Sequence, residues 1–78
     1  MFTIDEVVVM AAQKCGSRIK LAQQLEQNGC SVTGRTIFNW QDNPDSIRFW
    51  QAKILCDIAE VKINRVFRSK EERPLEID

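Results

Sequence analysis

Histidine is absent from the chain, and no paired-carboxylate or glycine-rich motif stands in its place. Without histidine, the usual general base and the central member of a nucleophilic triad are missing. Without a glycine-rich loop, no phosphate cradle can be recognised. An enzyme is therefore not expected, and neither is a catalytic residue or a cofactor. Cysteine is scarce and unpaired: Cys15, Cys30 and Cys56 are odd in number and widely spaced, with no CxxC pair. A zinc site needs four ligands at short paired spacings, so reduced, buried thiols are expected and a metal is not. Long apolar runs are lacking too; none approaches the roughly 20 residues of a bilayer-spanning helix. The stretch "MFTIDEVVVM" is acidic and has no basic n-region, so a signal peptide is not expected. These absences together predict a soluble cytoplasmic protein with no membrane partner.

What is present suits one small domain. The sequence has 78 residues, 44% of them hydrophobic, an ordinary share for a globular chain and a length for a single core. Formal net charge is zero, which by itself argues against a nucleic-acid partner. Its distribution is uneven. Residues 1–13 hold Asp5 and Glu6 and no base, and residues 71–78 hold four acids against Arg73. Residues 14–70 hold ten Lys/Arg against five Asp/Glu, a net of +5. A basic middle lies between acidic ends, although a mixed solvated surface would look the same. The folded domain is expected over 1–70, with "EERPLEID" at 71–78 as an acidic mobile tail.

Periodicity divides the domain into helices. Thr3 and Glu6 have capping-box spacing, and a first helix is predicted from Ile4 to Lys14, stopped by Gly16. Its three valines also suit a strand. Ser17 caps a second helix, "RIKLAQQLEQ", with Ile19, Leu21, Ala22 and Leu25 on its apolar face. "NG" at Asn28 and Gly29 ends it, since both tolerate positive φ. Ser31 or Thr33 caps a third, within "SVTGRTIFNWQ", where Ile37 and Trp40 point inward. "DNPD" breaks the chain, and Pro44 is placed to open the fourth helix at its first position. That helix, "SIRFWQAKILCDIA", has Phe49, Ala52, Cys56 and Ala59 on one stripe. Ile47, Trp50, Ile54, Leu55 and Ile58 adjoin it, which makes it the expected central packing element. "VKINRVFRSK" reads as a short fifth helix or as an edge strand near 61–67. The predicted fold is all-α, a compact bundle of four to five helices.

The stretch "RIKLAQQLEQNGCSVTGRTIFNWQ" resembles the helix-turn-helix of the lambda-repressor and Cro superfamily of small phage and bacterial regulators. Leu21, Ala22 and Leu25 match the first motif helix, Val32 the turn, and Ile37 and Trp40 the second helix. "ILCDIAEVKINRVFR" is similar to the family's fourth and fifth helices, so the resemblance covers about Ser17 to Arg68. One departure stands out. "EQNGC" reads as about five residues more than the family's turn has, which lengthens the first motif helix or its loop.

The resemblance implies a recognition helix, and the residue types there suit the task. Arg35 could bond guanine O6 and N7, and Asn39 adenine N6 and N7. Phe38, left outside the Ile37–Trp40 side, could meet a thymine methyl or pack on a neighbouring helix or subunit. Thr33 and Gly34 complete the expected base-reading set at the helix start. Ser17, Arg18, Lys20 and Gln41 are the expected phosphate contacts. Trp50 and Phe67 are candidates for a dimer interface, since the family often dimerises through its C-terminal half. The implied function is a Cro-like repressor of transcription, binding a double-stranded DNA operator as a homodimer in the nucleoid of a bacterium or phage-infected cell. An excisionase-like architectural factor or an antitoxin is the alternative within DNA binding. A helical protein–protein interaction module that binds no DNA is the alternative from another class.

Overall fold

The computed structural model describes residues 2–67. They form strand β1 (Phe2–Thr3) and helices α1 (Ile4–Cys15), α2 (Arg18–Gln27), α3 (Gly34–Asp42) and α4 (Phe49–Ala59), then strand β2 (Val66–Phe67). Two 3-10 turns, Pro44–Ser46 and Ile63–Arg65, lie before and after α4. The chain is mostly helical, with a two-stranded parallel sheet in which Phe2 pairs with Val66 and Thr3 with Phe67. The expected tail at 71–78 lies outside the described residues.

Helix ends explain much of this layout. Gly16 takes φ +107° and its N–H bonds the Ala12 carbonyl, closing α1 one residue beyond the predicted Lys14. At the end of α2, Gly29 has φ +89°, its N–H bonds Glu26, and the Cys30 N–H returns to the Leu25 carbonyl at 2.8 Å. This is a Schellman closure, with buried Cys30 lying over buried Leu25. The residues of "EQNGC" are thus partly helix and partly a pinned stop, not slack loop. Asn28 keeps a negative φ, contrary to expectation, and its amide instead donates to the Gln24 carbonyl. Thr3 bonds the Glu6 carboxylate through its hydroxyl at 2.9 Å, so the predicted pair meets side chain to side chain.

Three expectations are corrected. There is no fifth α-helix in the described residues: after α4 the chain makes a 3-10 turn and enters β2. Glu60 ends α4 in the left-handed region at φ +60°, and Val66, 3% exposed, is drawn into the core beside α1 by pairing with β1. The edge-strand alternative is the one realised, at 66–67. Second, Pro44 opens the 3-10 turn rather than α4. The chain then stays extended through Ile47 and Arg48 so that Ile47 is buried, and α4 starts at Phe49. The Gln51 side chain accepts from the Arg48 backbone N–H at 2.9 Å and marks this later start. Third, Ile19 is not on the buried face of α2; it is 68% exposed.

One cluster of buried side chains joins all four helices. Ile4, Val7, Val8 and Ala11 of α1 meet Leu21, Ala22 and Leu25 of α2, Ile37 and Trp40 of α3, and Ala52, Leu55, Cys56 and Ala59 of α4. The most extensive helix pairing is α1 with α4. Phe49 is partly buried against the cluster, and Trp50 is half exposed. No helix among the described residues is long and apolar enough to cross a membrane.

Candidate nucleic-acid interface

The short helix α3 is held by its cap and by two anchors. Thr33, in extended conformation, accepts the Thr36 N–H at 3.2 Å through its hydroxyl, which also lies 3.2 Å from the Thr36 hydroxyl. Ile37 is fully buried and Trp40 nearly so, which fixes the helix against α1 and α2. The opposite side, with Arg35, Phe38 and Asn39, faces outward. The hydroxyl of Thr33 is engaged as a cap, so of the expected set only Gly34, Arg35, Phe38 and Asn39 present themselves in an open groove.

That groove lies between α3 and the start of α2. Ser17, Arg18 and Ile19 form one wall, and Gly34, Arg35, Phe38 and Asn39 the other. Gly34 packs close to α2: a Cβ at that position would sit 3.7 Å from Ile19 Cγ1. Phe38 is 49% exposed, and the Arg18 guanidinium lies over its ring, 5.0 Å from the centroid. A second groove on the other flank of α3 is lined by Thr36, Asn39, Trp40, Asp42, Arg48 and Gln51 among others. Asn39 borders both, so α3 stands as a ridge between two depressions.

The phosphate candidates are divided. Ser17 accepts the Lys20 N–H at 3.1 Å and so serves as the α2 cap. Arg18 and Lys20 are exposed on the first turn of α2. Lys20 folds its aliphatic stem beside Gly16. Gln41 is half-buried and lines neither groove. Among the described residues the ion pair is Lys14 with Glu60, 2.9 Å, at the far ends of α1 and α4. Arg18, Lys20 and Arg35 have no carboxylate partner among the described residues, so their charges are available to an outside anion.

Trp50 is half exposed on the first turn of α4. Beside it, Lys53 lies over the Phe49 ring at 5.7 Å. Phe67 is half-buried in β2. All three cysteines are free thiols, Cys30 and Cys56 buried and Cys15 half-buried. Among the described residues no group of acids and thiols is arranged to hold a metal ion.

Ile19 and Arg48 were missed as groove residues. For Ile19 the signal was its position, roughly 110° round the helix from the centre of the face set by Leu21, Ala22 and Leu25. For Arg48 it was Gln51 three residues on, which places Arg48 outside the helix as its cap. Comparison with protein-family models, curated proteins and solved structures finds no match.

Proposed function

We propose that this chain is a small sequence-specific regulator of transcription of the Cro type. It binds a double-stranded DNA operator with α2 and α3 as a helix-turn-helix and represses by occupying the site. The supporting observation is the α3 ridge. Its core side is fixed by Ile37 and Trp40, while Arg35 faces one open groove and Asn39 stands between two. A helix so displayed is narrow enough for the major groove, where those two residue types discriminate guanine and adenine. Arg18 and Lys20, unpaired with carboxylates among the described residues, flank it where the phosphate backbone would run. The half-exposed Trp50 is the natural seat of a two-fold contact, which would present two recognition helices to two half-sites.

One observation favours a second reading, a helical module that binds another protein. Ile19, Phe38 and Trp50 are large, apolar and exposed, and such groups concentrate at protein interfaces.

Selection of bound sequences from a random duplex pool at near-physiological salt separates the two. The repressor reading expects enrichment of an inverted repeat with half-site centres about 10 base pairs apart. Arg35→Ala and Asn39→Ala should stay within about 0.5 kcal/mol of normal stability. Each should lose roughly 1–3 kcal/mol of discrimination at one base position. Trp40→Ala, removing the anchor, should instead cost about 3–5 kcal/mol of stability. If the Arg35 and Asn39 variants fold normally and keep full affinity and specificity, α3 is not the reader and the protein-binding module takes first place.

A further inference from the structure

Ile19 is the most exposed large apolar side chain among the described residues, and it stands on the wall of the α2–α3 groove across from Phe38. A single exposed isoleucine needs no explanation. Here two exposed apolar side chains line one groove, on different elements, and Gly34 lines it with them. Gly34 does not take a left-handed φ and its helix position would accept alanine, so conformational freedom does not account for it. A Cβ there would reach across to Ile19 Cγ1 on the facing wall, 3.7 Å away. The groove carries two guanidinium groups, Arg18 and Arg35, and no carboxylate. An apolar slot with cationic rims fits a small apolar group carried on a polyanion.

We propose that this groove is a clamp for the 5-methyl group of a thymine, closed by Ile19 of α2 and Phe38 of α3. The inference rests on the DNA-binding reading above and adds to it a residue outside the recognition helix. In the major groove the thymine methyl is the apolar projection among the base edges. Asn39 and Arg35 lie on the same wall, so the clamped thymine sits next to the base pairs they would read. Arg18, stacked on the Phe38 ring, holds the ring in place and keeps its charge at the rim toward the backbone. Specificity at that position then comes from apolar contact with the methyl shared by side chains of two helices.

The test replaces each thymine of the selected operator, one at a time, by deoxyuridine, which removes the methyl and nothing else. Wild-type protein should bind about three- to five-fold more weakly at one thymine per half-site, the worth of one buried methyl group. Ile19→Ser should bind the thymine and deoxyuridine sites equally. Gly34→Ala, whose Cβ would make an ordinary contact with Ile19 across the groove, should do the same. Thermal melts of both variants should match wild type, since one side chain is exposed and the other adds a methyl at ordinary contact distance from Ile19. If the operator is bound specifically and no thymine responds, the clamp is wrong and DNA binding stands. If a thymine responds equally in wild type and Ile19→Ser, the methyl is read elsewhere and the clamp is equally wrong. If no duplex is bound at all, both readings fail and the groove belongs to a protein partner.

Discussion

The side chain of Cys56 shows how much one residue's surroundings govern its chemistry. Burial pushes this thiol from its usual 9.0 up to about 11, and the adjoining Asp57 carboxylate adds to the shift. Cys30 moves the same way by burial, opposed by the Gln51 side chain. Below pH 9 the Cys56 thiol is protonated whether the chain is folded or not, so it leaves stability unchanged. Between about 9 and 11 the unfolded chain releases the proton and the folded chain keeps it. The folded state then binds more protons, and stability falls as pH rises. Denaturant midpoints measured from pH 8 to 11 should decline more steeply for the wild type than for Cys56→Ala. Equal slopes would mean that this thiol does not ionise differently on unfolding. Buried thiols were expected at all three cysteines; Cys30 and Cys56 are buried, whereas Cys15 is half-buried. That Ile19 is not buried was legible only from its angle to the face set by Leu21, Ala22 and Leu25; its spacing of three to Ala22 pointed the other way.

Among the elements, the helix ends were the most and the least readable features. Gly16 and Gly29 announced two left-handed stops, and both are there. The third is Glu60, at φ +60°, with the Val61 N–H returning to the Cys56 carbonyl at 2.9 Å. Nothing in the residue type signals it. A glutamate is held in that conformation by the closure around it, while its carboxylate reaches Lys14 at 2.9 Å. That contact draws the Glu60 carboxyl below its usual value by hydrogen bond and charge. Opposite substitutions should therefore have opposite effects. Gly16→Ala puts a Cβ on a left-handed residue and within 3.3 Å of Lys20 Cδ, and should cost about 1–2 kcal/mol. Glu60→Gly relieves the same kind of strain and loses only an exposed ion pair of small worth, so its melting temperature should rise. Two melts settle the matter, and a Glu60→Gly variant that melts lower would show the Lys14 contact to outweigh the strain. Pro44 misled for a related reason: a proline fixes its own φ equally well for a 3-10 turn and for an α-helix.

At the scale of the whole molecule, a net charge of zero still leaves cations without carboxylate partners. Arg18 and Arg35 line the α2–α3 groove, Lys20 is exposed on the first turn of α2, and among the described residues the ion pair is Lys14 with Glu60. If the chain binds DNA as proposed, the affinity should fall linearly with the logarithm of salt concentration, as phosphate contacts release counterions. Lys20→Ala should weaken binding to every sequence alike and flatten that slope by roughly one unit per bound chain. An unchanged slope would remove Lys20 from the backbone contacts. The four helices, their order and the side of α3 that is buried were legible from periodicity. Of the sheet, a C-terminal strand was read as the alternative near 61–67, but its partner at Phe2–Thr3 was not, because a two-residue strand carries no period and the partners lie at opposite ends of the described chain.

That pairing also governs the order in which the protein can be completed. Phe2 and Thr3 find their partners at Val66 and Phe67, so a growing polypeptide waits for its closing neighbour. At translation speeds of about 5–20 residues per second, the gap is roughly 3–13 s. Throughout it the edge of β1 is unpaired, and the place that Val66 fills against α1 is empty. A product that stops at Arg65 keeps every helix of the described residues yet should melt at a lower temperature than one extending through Phe67. Equal melting would show the strand pair to be dispensable. If the shorter product does melt lower, interrupted synthesis releases a chain easily opened by proteases, and the cell holds mainly chains made past β2.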